Sequence, residues 1–276
     1  MVTKELRDAG WKLVLGFLVI LVLAAVVVVP YEWMAGETVV APNMLPEGLP
    51  LPDGFPRELN PAESAAYSLE NDFGTICGYV LVPLAVLLGV AVVSGEAGSG
   101  TIFLLLSKPV NRSRLLLTKY GVGAAVLLSV ALLGCVGIVT SAAVRGYPMG
   151  QVSVFGAALS VALLWLGSLF VLSTALLMSV LFRNVLFSLT ATVVALYAAF
   201  TGPQFLSVFL SQPLPRPSGP PDWSYGWLTW LDISRYWGGE ILYLGEGVAA
   251  VNFVVYSTLA VLPLLAALWL FNRKAF

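Results

Sequence analysis

The chain has 276 residues, 59% of them hydrophobic and 11% charged, with a formal net charge of −1 and no histidine. A soluble domain carries about 25% charged residues, so this composition, with a mean hydropathy of +0.91, excludes an ordinary water-soluble globule and indicates a membrane protein. The missing histidine removes His-based metal sites, Ser-His or Cys-His nucleophilic catalysis, His-ligated haem and His proton relays.

A helix needs roughly 20 apolar residues to cross the hydrocarbon core of a bilayer. Six stretches meet that requirement: 12–30, 73–93, 121–144, 155–182, 185–210 and 248–271. None shows the strict polar/apolar alternation of barrel strands. The expected fold is an all-α integral membrane protein, a single transmembrane domain over 1–276 with six transmembrane helices.

The N-terminal stretch "MVTKELRDAGWKL" has mixed charges and helical periodicity. The first span ends at Val-Val-Pro-Tyr-Glu rather than at a small-residue cleavage site, so it reads as retained. Residues 31–72 follow, with prolines at 42, 46, 50, 52, 56 and 61 and glycines at 36, 48 and 54. That spacing predicts an extended acidic loop without regular helix. It serves either as a solvated connector or as a docking surface for an extracytoplasmic partner protein.

Between the second and third spans lies the segment 94–119, "SGEAGSGTIFLLLSKPVNRSRLLLTK". Its glycines approach the spacing of a phosphate-binding loop, but Thr101 follows Gly100 where such a loop needs a lysine, and a transmembrane span precedes it instead of a strand. Nucleotide binding by this chain is not expected. The glycines instead permit a sharp turn on leaving the bilayer. Thr101 can cap a short helix over 102–106, Pro109 ends it, and Asn111 or Ser113 can cap the next. That short apolar helix needs a surface to bury against.

The later elements are less specific. Cys77 and Cys135 fall in separate spans without metal-ligand spacing and read as small buried hydrophobes. Residues 211–247 open as "QPLPRPSGPPD" from Gln212 and then turn aromatic. Trp223, Trp227 and Trp230 fall on one face of a helix, with Trp237 further on. They serve either as a lipid anchor at the interface or as a lid over a pathway. No span carries a charge near its centre, which argues against an ion pump or proton relay.

Charge sets the orientation. With a cytoplasmic N-terminus, the cytoplasmic pieces hold ten bases and three acids, a balance of +7. The opposite side holds four bases and twelve acids, a balance of −8. The positive-inside tendency therefore places both termini in the cytoplasm.

The segment 94–119 resembles the signature between the second and third spans of ABC-2-type transporter permeases. That signature is a Glu, then Gly-Thr, a short apolar run, Ser-x-Pro, an Arg a few residues on, and a Lys opening the next span. Glu96, Gly100, Thr101, the run Ile102–Leu106 with Leu105, Ser107, Pro109, Arg112 and Lys119 match it in register. The six-span layout and the basic "FRN" turn at 182–184 are similar too, so the resemblance covers essentially the whole chain. The long insertion at 31–72 departs from many simple members and bears on the substrate more than on the fold.

The resemblance implies the membrane-spanning subunit of an ABC exporter in the cytoplasmic membrane of a prokaryote. It implies a second permease copy, identical or related, and two copies of a separate ATPase subunit that bind ATP and magnesium. This chain would then carry no catalytic residue, cofactor or metal, and would contact lipid but no nucleic acid. The short helix would be the coupling helix seated in a cleft of the ATPase. Glu96 and Arg112 flank it and would contact either the ATPase or each other. The N-terminal stretch resembles the family's amphipathic lead-in helix; a plain anchored tail fits it equally. The alternative is a non-transport ABC membrane subunit that transmits mechanical work to an extracytoplasmic partner or assembly process. A histidine-free intramembrane enzyme is a weaker third reading, for which no constellation is visible.

Overall fold

The computed structural model describes residues 18–19, 61–96, 112–146, 153–182, 184–211 and 250–273. Every regular element among the described residues is helical. Helix α1 spans Pro61–Val90 and continues through a π-helical turn, Ala91–Gly95, to Glu96. Helices α2 (Arg112–Val144), α3 (Val154–Leu181), α4 (Val185–Ser211) and α5 (Ala250–Arg273) follow. All five are long and apolar enough to cross a membrane, and they correspond to the second to sixth expected spans. Of the first, 12–30, only Leu18 and Val19 are described, both helical. The N-terminal stretch, residues 31–60 and the aromatic segment 212–247 lie outside the described residues.

Local chemistry accounts for several helix ends. Gly146 takes a φ of 83°, the left-handed conformation that closes a helix C-terminus, and α2 stops just before it. Ser153 caps α3, its hydroxyl accepting the Gly156 N–H at 3.1 Å. The Asn184 side chain accepts the Leu186 N–H at 2.8 Å and opens α4. Pro83, Pro203 and Pro263 lie inside α1, α4 and α5. Membrane helices tolerate them because neighbouring groups re-satisfy the backbone.

One helix begins earlier than expected. α1 starts at Pro61, so the last part of 31–72 is helical and not an extended loop. Pro61 is the first helical residue, where its missing N–H costs nothing, and no proline or glycine occurs from there to Asp72. The membrane-crossing part of this helix is Cys77–Gly95, so the acidic first turns extend beyond it. α2 starts at Arg112, within the range set by the expected caps Asn111 and Ser113 and ahead of the apolar span 121–144, which brings Arg112, Arg114 and Lys119 into the helix. Ser113 is thus its second residue. It is not the cap, and its hydroxyl pairs with Asn272 instead.

Helix α3 is the centre of the bundle. Of its span 72% is buried, against 17% for each of α4 and α5. Along α3 and α1 residue numbers rise together: Gly89 lies against Ala175, and Ser94 against Ser179. α2 runs the other way, with Gly123 against Leu172 and the Trp165 indole N–H donating to the Ala124 carbonyl at 2.9 Å. Phe200 of α4 meets Phe170 edge-on, ring centroids 6.2 Å apart. Ala267 and Phe271 of α5 pack with Leu176 and Val180. The chain direction therefore alternates, and one end of the bundle gathers the C-termini of α1, α3 and α5 with the N-termini of α2 and α4.

Small residues let these backbones approach, which is the usual basis of helix association in lipid. A β-carbon at Gly89 would sit 2.5 Å from the Ala175 β-carbon and 2.9 Å from the Leu172 carbonyl oxygen. Cys77 is fully buried in the main core and Cys135 is partly buried against it, as expected of small hydrophobes. The outward faces of α4 and α5 expose Leu186, Phe187, Val194, Val254, Leu262 and Trp269. Water would not tolerate apolar surface on this scale, whereas bilayer hydrocarbon would.

Candidate functional site

The end of the bundle where α1, α3 and α5 finish is where the 94–119 segment leaves and returns. An apolar cluster forms its floor: Val93 of α1, Leu115 and Leu116 of α2, Leu176 and Val180 of α3, Ala267 and Phe271 of α5. Polar contacts sit over that floor and tie the helices together.

Glu96, at the exit of α1, pairs with the Lys119 ammonium of α2. The Lys119 side chain is only 6% exposed and that of Glu96 is 23% exposed. A lysine this deep needs a carboxylate, because a desolvated ammonium is costly unless it is paired. The contact ties the last described residue of α1's end to α2, close to the two ends of the 94–119 segment.

Two further contacts close the same end. The Ser113 hydroxyl donates to the Asn272 Oδ1 at 3.1 Å, and the Asn272 Nδ2 lies 2.9 Å from the Ser113 Oγ. This ties the start of α2 to the end of α5. One residue on, the Arg273 guanidinium stacks over the Trp269 ring, 4.1 Å from its centroid. An aromatic–cation pair at a helix end suits the boundary between hydrocarbon and headgroups. Deeper in, the Ser173 hydroxyl donates to the Tyr120 hydroxyl at 3.1 Å, linking α3 to α2.

The approach to Glu96 is irregular. A π turn offsets the i→i−4 ladder by one residue and leaves backbone groups at the step in need of other partners. Ser179 of α3 supplies them. Its Oγ accepts the N–H of Ser94 at 2.8 Å and of Val93 at 3.1 Å, and donates to the Val90 carbonyl at 2.9 Å. The Ser94 hydroxyl donates to the same carbonyl at 2.6 Å. Ser94 is 0% exposed and Ser179 is 1% exposed.

Of the residues matched to the signature, Glu96 and Lys119 are thus brought together, and Arg112 opens α2. Gly100, Thr101, Ile102, Leu105, Ser107 and Pro109 lie outside the described residues, as does the short helix expected over 102–106. Glu96 meets Lys119; the side chain of Arg112, the other base expected near Glu96, lies outside the described residues. Lys119 sits two helical turns further along α2, on the face turned to α1, where burial makes a counter-charge most valuable. Ser179, Ser94 and Asn272 were not singled out from the sequence. Each is a single polar residue near the end of an apolar helix, a position that carries no signal of its own.

No curated protein matches the chain in sequence. A family model described as ABC-2 family transporter protein matches residues 2–276, nearly the whole apolar helical chain: the chain belongs to the ABC-2 family transporter proteins.

Proposed function

We propose that the chain is the permease subunit of an ABC exporter in a prokaryotic inner membrane. Two copies, identical or related, enclose the translocation pathway, and two separate ATPase subunits bind ATP and magnesium and drive it. The Glu96 end of the bundle faces the cytoplasm, with both termini. The loop between Glu96 and Arg112 seats its apolar residues, Ile102 and Leu105 among them, in a cleft of the ATPase. Gly100 and Thr101 shape the entry to that helix, and Ser107 and Pro109 its exit. The chain itself holds no catalytic group.

The observation that carries this reading is the Glu96–Lys119 pair. It ties the helix that the loop leaves to the helix that it enters and would transmit a push on the loop. The experiment is a charge placed in the proposed docking helix. An aspartate in an apolar interface costs several kcal/mol, so Leu105→Asp is expected to insert normally but to lose the ATPase on purification. Full retention with normal turnover would remove the coupling role. The second reading, mechanical work on an extracytoplasmic partner, is favoured by the long acidic segment 31–60 ahead of α1. Flux into vesicles separates the two.

A further inference from the structure

We infer that Ser179 is a positioning residue: its hydroxyl holds the π turn of α1 and thereby sets the angular register at which Glu96 leaves the bundle and meets Lys119. The role follows from hydrogen-bond capacity. A serine hydroxyl has one proton and two lone pairs, and at Ser179 all three are committed to the turn: two N–H groups accepted and one carbonyl donated to. The groups it serves are buried, so water is not an alternative partner.

Without that hydroxyl the turn has a lower-energy conformation available. The helix can relax from π to α and recover its own i→i−4 partners. That relaxation adds a residue to the regular helix ahead of Glu96. Every residue beyond the step then turns by about 100° and advances by about 1.5 Å along the axis. For a side chain reaching 5–6 Å from the axis, a turn of this size moves the tip by about 8–9 Å. A displacement of that size takes the carboxylate off the face turned to α2. The turn and its plug therefore form a two-state element, and the π state is the one in which Glu96 meets Lys119. Its consequence for transport rests on the coupling role proposed above.

A single-residue deletion provides the discriminating test. Ala91 is the exposed residue of the turn. Removing it shortens the helix by the residue the π turn accommodates, so a regular α-helix would then present Glu96 in its present register without needing Ser179. The readout is a thiol crosslink between Glu96→Cys and Lys119→Cys with a short bis-methanethiosulfonate, in the full chain with Cys77→Ala and Cys135→Ala. Both charges are absent from this pair of variants, so the register that survives is that of the turn. A second pair, Ser113→Cys with Asn272→Cys, reports whether the same end of the bundle is assembled.

Adding Ser179→Ala is expected to abolish the 96–119 crosslink and spare the 113–272 one. Deleting Ala91 as well is expected to restore it. A 96–119 crosslink unchanged by Ser179→Ala overturns the inference. If Ser179→Ala abolishes both crosslinks, the deletion decides: recovery of both supports the register role, and no recovery overturns it. ATP turnover of the reconstituted complex is read in parallel with the native Glu96 and Lys119. Crosslinks that respond as expected beside unchanged turnover would leave the register role standing and remove the coupling role.

Discussion

Among the described glycines Gly89 makes the tightest approach, between α1 and α3, and Gly89→Ala tests that packing directly. The added β-carbon would lie 2.5 Å from the Ala175 β-carbon, 2.9 Å from the Leu172 carbonyl oxygen and 3.0 Å from the Leu176 nitrogen. Carbon atoms prefer to sit about 3.5–4.0 Å apart, and a radial gap of 0.5–1 Å already forfeits a quarter to a half of the attraction at each contact. Two of the three neighbours are backbone atoms, so no rotamer change relieves the clash. The helices must separate by about 1 Å, and the contacts along the α1–α3 seam weaken with them. Overpacking of this kind costs about 1–3 kcal/mol, while removing a glycine from a helix interior returns up to about 1 kcal/mol. The net expectation is a loss of about 1–2 kcal/mol. The assay is thermal or denaturant unfolding in detergent, followed by tryptophan fluorescence, with Gly137→Ala as the control. Gly137 sits in α2, and a β-carbon added there would meet nothing within 4 Å, so its substitution should be neutral or mildly stabilising. Adding Ala175→Gly to Gly89→Ala should recover only part of the loss, since the two backbone contacts remain. Gly89→Ala matching Gly137→Ala in stability would refute the close approach of α1 and α3.

Other tests address the ion pair and the orientation. Glu96→Gln should destabilise by about 2–4 kcal/mol because it deprives a nearly buried ammonium of its carboxylate, and Lys119→Met in the same chain should restore most of that. Strict additivity in unfolding measurements on the two single variants and the double one would mean that the pair contributes nothing. For orientation, single cysteines at Ser64 and Ser218 in a chain with Cys77 and Cys135 replaced should react with a membrane-impermeant thiol reagent from outside intact cells, whereas one at Ser113 should not. Labelling at Ser113 would reverse the charge-based orientation.

Five of the six expected spans coincide with described apolar helices, because crossing a bilayer is a local property of composition. The expected runs 155–182, 185–210 and 248–271 match Val154–Leu181, Val185–Ser211 and Ala250–Arg273 to within two residues at either end. Hydropathy marks where a helix is in hydrocarbon but not where it ends in water. α1 therefore continues back to Pro61, and α2 to Arg112, through residues whose charges had marked them as outside the membrane. The signature residues Glu96 and Lys119 were likewise visible in the chain, as a pattern and not as a pair. Which acid meets which base depends on how α1 and α2 pack, and that packing turned Lys119 inward.

What the amino-acid order leaves open is the relation between distant helices. The π turn at Ala91–Gly95 is an ordinary apolar stretch when read alone. It is held by a serine 85 residues away from Ser94. Gly89 likewise reads as a helix-weakening residue until the backbone of α3 is found against it. Membrane insertion sums over the residues of one segment, so each segment declares itself. Hydrogen bonds to a bulge and the approach of two backbones exist only once the segments have packed, so Ser179, Asn272 and the register of Glu96 emerge only from the assembled bundle.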